Sequence, residues 1–566
     1  MKGMWWVDMK KLIVVGVAVW AMALGAGEIV NLWPEGKMPL KVANQKYDPT
    51  LEWFAPTKEA NRAFMLIIPG GGYFKVGTLE SVVAHYRKLG YYVGRLRYRT
   101  PRPDGMEIYR TAWADGQRAV RMVRAEAEKR GYDPEKIGVL GSSAGGHLTL
   151  LLALNSQTPA YEPVDAVDST PAHVNWAIPV YPAYVLDDGL TSTNANRGFD
   201  AKISGAFKFD AKTCPMCFFH GGADKYSPNG STMLYRRLRE MKVPAELHLL
   251  ADRPHSFMLN AKAGTASATW LDRADEFVRQ MNFLGTLGEA RDRRIFTGKW
   301  TKDQVVEKLW PDGCPDAQTC QTNAPFLTWY LPKDLKTKAI QIVFPGGAYS
   351  HCNAKGEGLP EADYFNRKGM TTVVVTYRTP RPQGFPKHMS AWQDAQRAIR
   401  MVRYEAAGRG LDPDRNGVMG FSAGGHLTLM CATTSRTNAY PPMDEIDAVS
   451  AKVQWACPTY PAYVLSDGAD GANAKGGNPD DAVIVSDFAF DADTPPMCFL
   501  HGDADVISSM GSVKVWEKLR RAGVQCELHT YATRPHCFQF TCADGTGSAT
   551  WHDRIWEFMV QKGINR

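Results

Sequence analysis

Apolar and polar positions follow two rhythms along this chain, and the rhythm switches at regular intervals. Residues 64–68 form a short unbroken apolar run that ends in Pro-Gly-Gly-Gly. Residues 91–98 are rich in β-formers and end at a proline-containing turn, whereas 112–130 carry Ala, Val and Met at helical spacing. The run 137–140 predicts a strand leading straight into Gly141, and an apolar helical segment follows over 147–154. Further strands are predicted over 174–180, 217–219 and 246–250, with helices over 233–241 and 268–281. Strands alternating with helices imply an α/β fold: a mostly parallel sheet with both faces covered. In such sheets ligands bind beyond the carboxyl ends of the strands.

The whole pattern occurs twice. Tyr98-Arg99-Thr100-Pro101-Arg102-Pro103 recurs verbatim at 377–382, and Tyr181-Pro182-Ala183-Tyr184-Val185-Leu186 recurs at 460–465 with the same offset. Leu32-Trp33-Pro34 matches Leu309-Trp310-Pro311, and Arg253-Pro254-His255 matches Arg534-Pro535-His536. Order and spacing hold over a whole domain length, so this is a duplicated domain and not a short-period solenoid. The expected plan is a leader over 1–26, one domain over 28–283, a polar linker over 284–299 and a second domain over 300–566. A chain of 566 residues is in any case too long for a single core.

Composition narrows the class. The chain is 44% apolar and 22% charged, with a net charge of +7, which is ordinary for a globular protein. It lacks a Lys/Arg block interleaved with aromatics, so nucleic acid is not an expected partner. Met9-Lys10-Lys11 precedes an apolar run over 12–26 that ends in small residues, the pattern of a secretory signal peptide. The competing membrane anchor would need about 20 apolar residues. A secreted or periplasmic protein with no stable membrane association is expected. Eleven cysteines begin at Cys214, and an odd number cannot pair completely. Cys314/Cys320 and Cys537/Cys542 could close short disulfide loops, while Cys214 and Cys217 read as buried structural thiols. No His/Cys cluster has metal-ligand spacing, so no metal and no cofactor are expected.

Gly141-Ser142-Ser143-Ala144-Gly145 lies between a predicted strand and a predicted helix, and Gly420-Phe421-Ser422-Ala423-Gly424 repeats it. This is the strand–turn–helix arrangement that exposes a nucleophilic serine. A serine hydroxyl needs a base to take its proton and a carboxylate to orient that base. In chain order the candidates are Asp224 then His255, and Asp505 then His536, with equal acid-to-base separation in both halves. His220 and His501 are read as braces of the acid's loop, Asp503 as an unmatched rival to Asp505, and His147 and His426 as packing residues. His248 and His529 fall within a strand. Backbone donors for a developing oxyanion are expected from Gly71 and Gly72, from Gly347 and Ala348, and from Ala144 and Ala423 just after the serines. The recurring aromatics Tyr73/Tyr349, Trp113/Trp392 and Tyr184/Tyr463 suit either core packing or a substrate's sugar or aromatic acyl group. The helical Asp115–Arg118 and Asp394–Arg397 repeats read as structural.

With these motifs in this order, each half resembles the α/β-hydrolase esterases related to acetyl-xylan and feruloyl esterases, within the hormone-sensitive-lipase-like group. The resemblance implies two tandem α/β-hydrolase domains that cleave small acyl esters or acylated oligo- and polysaccharides, with deacylation of xylan-type material as the expected role. Two alternatives stand beside this: a serine peptidase of the same fold, which shares the triad, and a carbohydrate-binding protein with one vestigial hydrolase copy. Two positions depart from the resemblance: Pro69 stands where many relatives carry histidine, and Ala348 replaces a third glycine.

Overall fold

The computed structural model describes residues 27–45, 47–187, 201–285, 291–292, 304–315, 323–466, 482–491 and 493–566. The expected leader and most of the expected linker lie outside the described residues.

The first half contributes strands β1 Glu28–Asn31, β2 Thr50–Phe54, β3 Phe64–Ile68, β4 Tyr92–Arg97, β5 Ile137–Ser142, β6 Trp176–Val180, β7 Met216–Gly221 and β8 Ala245–Leu250. The second half repeats them as β9 Gln304–Lys308, β10 Phe326–Tyr330, β11 Ile340–Phe344, β12 Thr371–Thr376, β13 Asn416–Phe421, β14 Trp455–Thr459, β15 Met497–Gly502 and β16 Cys526–Tyr531. Spatial order in the first half is 1-2-4-3-5-6-7-8, and the second half is its mirror in sequence. Strands β3 to β8 pair in parallel; β2 runs antiparallel to β4, and β1 antiparallel to β2, so β2 alone of the eight is reversed. Every residue of β3, β5, β6, β7 and β8 is buried, which explains their unbroken apolar runs: both faces are covered. The strands β1 and β2 alternate in burial at the sheet edge, and their weak patterning hid them from the sequence reading.

Helices cover both faces. The helix Ala144–Leu154 is buried on all sides, so it is apolar all round and has almost no amphipathic signature. It packs with Arg110–Ala125 on one face of the sheet. On the other face Val82, Val83 and Tyr86 meet Trp270 and Phe277. The Asp115 and Arg118 pattern is structural, as expected: Asp115 accepts from Arg99 and Trp33 in a fully buried pair, and Arg118 bridges Asp165 and Asp168.

The two halves are not beads on a linker. Strand β8 pairs antiparallel with β16, His248 opposite His529, so sixteen strands make one continuous sheet. An open sheet edge invites association, and here each half covers the other's last edge. Contrary to the expectation that the halves would have separate cores, one apolar cluster runs through both, with Phe218 and Leu247 joined to Phe499 and Leu528, because the paired seam strands make their inner faces continuous. At the seam the Nδ1 atoms of His248 and His529 lie 3.0 Å apart, and each Nε2 lies 3.2 Å from its own strand's glutamate, Glu246 or Glu527. Two facing Nδ1 atoms need one proton between them, so the pair takes opposite tautomers although the sequence around it is symmetric. Burial pulls both imidazoles well below their ordinary range and raises both carboxyls, Glu527 to about 8, so this buried cluster carries little charge.

Asp503, the rival acid of the second half, belongs to the seam. It accepts from Tyr235 Oη at 2.8 Å and lies 3.0 Å from Arg239 Nε, both in the first half. Cys214 and Cys217 are buried thiols, as expected. Cys537 is a free thiol, so the considered bridge to Cys542 is not formed; the Cys542 Sγ instead faces Gln539 O. Cys320 lies outside the described residues.

Removing Asp503 would take the carboxylate from a partly buried guanidinium, which keeps Ser508, and from the buried Tyr235 hydroxyl. Asp503→Ala should lower unfolding stability by about 1–3 kcal/mol, read by urea titration of the full chain, whereas alanine at exposed Asp334 should change it by under about 0.5 kcal/mol.

Candidate active site

Crowding of the backbone builds the nucleophile turn. Ser143 has φ 56° and ψ −119°, and Ser422 has φ 53° and ψ −114°. These are conformations that non-glycine residues adopt only under constraint. A Cβ at Gly141 would stand 2.3 Å from Gly145 O, and one at Gly145 would stand 2.1 Å from Ile68 O. Gly420 and Gly424 face the same obstruction, at 2.3 and 2.0 Å. The flanking glycines are therefore a packing necessity, and they let β5 and β13 end abruptly against the start of a helix.

The structure brings the sequence-selected residues of each half together. Ser143 Oγ lies 2.8 Å from His255 Nε2, and His255 Nδ1 lies 2.8 Å from Asp224 Oδ2. Ser422 Oγ lies 2.8 Å from His536 Nε2, and His536 Nδ1 lies 2.8 Å from Asp505 Oδ2. Each acid follows a parallel strand (β7 or β15), and each histidine follows the next (β8 or β16), so all reacting groups gather at the carboxyl end of the sheet. The Tyr226 N–H donates to Asp224 and the Ile507 N–H donates to Asp505, at 2.8 and 2.7 Å.

His220 and His501 brace these acid loops, as the sequence reading expected. Each lies 3.3 Å from its aspartate and holds the loop through Tyr226 O or Ile507 O at 2.9 Å, with Ser231 or Ser512 on the other nitrogen. Burial alone would raise the Asp224 and Asp505 carboxyls, but hydrogen bonds from the two histidines around each hold them below the ordinary value. Both are thus ionised and aligned with an imidazole N–H.

The glycine loops lie directly against the serines. A Cβ on Gly70 would meet Ser142 O at 2.6 Å, and one on Gly346 would meet Phe421 O at 2.8 Å. Gly71 and Gly347 have φ of 143° and 133°, while Gly72 and Ala348 have 65° and 54°. The second copy therefore holds the same turn with an alanine, at a cost of about 1–2 kcal/mol for the left-handed conformation. Backbone hydrogen bonds within the first loop run from Phe74 and Lys75 to Gly71 O and from Gly77 to Gly70 O, and use none of the Gly71 or Gly72 N–H groups. Ala144 and Ala423 open their helices, where N–H groups have no intrahelical acceptor.

Several contacts were invisible in sequence. Tyr181 and Tyr460 stack edge-on against His255 and His536 at 4.9 and 4.8 Å between ring centres. In the second half the buried Glu357 accepts from the Gly346 N–H at 2.7 Å and from Tyr460 Oη at 2.8 Å, so it supports loop and ring together. Of the paired aromatics, Tyr73 and Tyr349 are core residues whose hydroxyls meet His147 and His426 Nδ1. Those histidines bond to a tyrosine hydroxyl and not to backbone. Tyr184 is half-buried and reaches His255 through Tyr226.

The BD-FAE family model matches residues 51–238 and again 327–519. The chain belongs to this family. The two BD-FAE matches fall on the two halves of the sheet, so the fold is that of two tandem α/β-hydrolase domains. The chain is similar to an acetylxylan esterase of Xylanibacter ruminicola, 28% identical over 244 residues that make up 40% of this chain and 45% of the relative. It is similar to endo-1,4-beta-xylanase B of Butyrivibrio fibrisolvens, 31% identical over 121 residues, 21% of this chain and 19% of the relative. It spans under half the length of these two relatives. Among solved structures it is similar to an acetyl ester-xyloside bifunctional hydrolase from Caldicellulosiruptor lactoaceticus, with 27% identity and a TM-score of 0.35, covering 46% of this chain and 95% of that one.

The two BD-FAE sites differ beside the imidazole. Burial opposes charge on His536, but Asp505 and then the adjacent Cys537 outweigh it and raise its pKa above the ordinary value; the first half has Ser256 in place of Cys537. A raised histidine pKa adds stability that is fully present below the unfolded-state value and is lost as pH rises through the folded one. Imidazole NMR should show His536 titrating above an ordinary histidine, Cys537→Ser should move the midpoint down, and unfolding stability should fall across the same pH window.

Proposed function

We propose that this chain is a secreted or periplasmic serine carboxylic-ester hydrolase with two working sites, which removes acetyl or feruloyl groups from xylan-type plant polysaccharide. The observation that carries the reading is the pair of complete Ser–His–Asp hydrogen-bonded chains, each with backbone N–H groups beside the serine that take no backbone partner among the described residues. In the reaction Ser143 or Ser422 Oγ attacks the ester carbonyl carbon while His255 or His536 takes its proton on Nε2. Asp224 or Asp505 keeps Nδ1–H in place and balances the imidazolium. The carbonyl oxygen, now negative, would be held by N–H groups from Gly71, Gly72 and Ala144, or from Gly347, Ala348 and Ala423, each donor worth about 3–4 kcal/mol in the transition state. The imidazolium then protonates the leaving alcohol, and the acyl-enzyme is hydrolysed by water activated on the same histidine. No step needs a cofactor.

The names of the two sequence relatives, an acetylxylan esterase and a xylanase, support the choice of acylated xylan. The basic, apolar and small-residue segments of the first 26 residues support export. Among the described residues no helix is long and apolar enough to cross a membrane.

Ser143→Ala and Ser422→Ala should each remove part of the turnover of chromogenic acetyl and feruloyl esters and of acetylated xylan. The double variant should fall by about 10⁴–10⁶-fold. Wild-type turnover in the double variant, or a preference for aminoacyl anilides over esters in the unmutated protein, would overturn the proposal.

A further inference from the structure

The helix after each nucleophile turn carries a histidine, and in the second half one nitrogen of that histidine faces a carboxylate. His426 is fully buried, and its Nδ1 is engaged by Tyr349 Oη at 2.9 Å. Its Nε2 has no hydrogen-bond partner among the described residues. That nitrogen lies 3.6 Å from Asp487 Oδ2, and the same oxygen lies 3.4 Å from His388 Nδ1. One donor atom from each of the three residues falls within 4.8 Å of the others. Zinc–nitrogen and zinc–oxygen bonds of about 2.0–2.1 Å set tetrahedral ligand atoms about 3.4 Å apart. The two measured separations match that edge, and they are too long for good hydrogen bonds.

We propose that His388, His426 and Asp487 form a binding site for a divalent transition-metal ion of the zinc type, present only in the second half of the chain. The donor set of two imidazoles and one carboxylate suits such an ion. The Asp487 side chain is 35% exposed, which leaves a fourth coordination position open to water. Tyr349 fixes the ring of His426 through the nitrogen that the metal does not use, as a supporting group should. Lys387 brings an opposing positive charge; its Nζ lies 4.2 Å over the Tyr463 ring.

Two comparisons within the molecule sharpen the assignment. The seam clusters Cys217–Glu246–His248 and Cys498–Glu527–His529 also gather ligand types, but both nitrogens of each seam histidine already face another side chain. The first half offers the second comparison. His147 is held by Tyr73 Oη at 2.8 Å, as His426 is held by Tyr349. Tyr109 occupies the N-cap of its helix where His388 occupies the N-cap of the other. Phe207 and Phe488 pack on the two histidines at 5.4 and 5.2 Å, and the residue before each is Ala206 and Asp487. The first half therefore lacks two of the three ligands while keeping the surrounding packing. A bound ion would tie the helix behind Ser422, through His426, to the loop that carries Ala348, through Tyr349.

The test uses the full chain, stripped with chelator and titrated with Co²⁺ and then Zn²⁺. The unmutated protein should develop visible ligand-field absorption with Co²⁺ and lose it as Zn²⁺ displaces the cobalt. His388→Tyr and Asp487→Ala, which install the first half's own residues, should each abolish that absorption and the rise in unfolding temperature that Zn²⁺ gives the unmutated protein. Tyr349→Phe should keep the spectrum but weaken affinity by about 10–100-fold. Metal-free His388→Tyr and Asp487→Ala should unfold at the same temperature as the metal-free unmutated protein, which separates loss of a ligand from loss of fold. The assignment is overturned if the unmutated protein takes up no more metal than Asp487→Ala, or if its absorption survives His388→Tyr. The readout is metal binding, so it stands or falls separately from the proposed hydrolysis.

Discussion

The close approach of backbone to backbone at the end of β5 and β13 is the constraint on which the rest depends. With Gly145 packed against Ile68 O and Gly141 against Gly145 O, the chain has space only for a turn that pushes a serine into an unfavourable φ. Strain of this kind persists where the surroundings over-determine it, and here they do. The strand is buried between its neighbours, the following helix is buried on all sides, and the glycine loop rests on the turn from above. Once the serine hydroxyl is fixed at the carboxyl end of the sheet, the loops after β7 and β8 are the places from which a carboxylate and an imidazole can reach it.

Duplication has produced more than two copies of that device. Each half alone would end in an exposed strand, and the two exposed strands pair with each other, so the repeats share one sheet and one core. The seam is polar at its centre, where two histidines and two glutamates are buried against one another. Arg239, Tyr235 and Asp503 add direction to an otherwise apolar contact. Burying such groups needs full pairing, and that requirement restricts the seam to a single register.

Against this symmetric frame the local differences stand out. Ser256 becomes Cys537 beside the imidazole, Tyr226 becomes Ile507 in the acid loop, and Gly72 becomes Ala348 in the glycine loop. Glu357 reinforces that loop in the second half through the Gly346 N–H and Tyr460. Tyr109 and Ala206 become His388 and Asp487 around the buried histidine. These changes cluster around the second serine's supports and leave its hydrogen-bond partners unchanged, so the two sites share a reaction geometry and differ in the charge and chemistry around it.

Much of this was legible in the sequence because it depends on local constraints. Gly-x-Ser-x-Gly between a strand and a helix reports a backbone too crowded for side chains, and apolar runs report strands covered on both faces. The repeat itself paired each aspartate and histidine with its counterpart. The edge strand β1 and its neighbour β2 were missed because half-exposed strands carry a weak pattern, and Asp503 looked like a rival acid because its partners lie in the other half. The seam, the tautomer-split histidine pair and the cluster of His388, His426 and Asp487 were decided by tertiary structure alone. Their members come from segments far apart in the chain, and no spacing rule can bring together side chains that only folding makes neighbours.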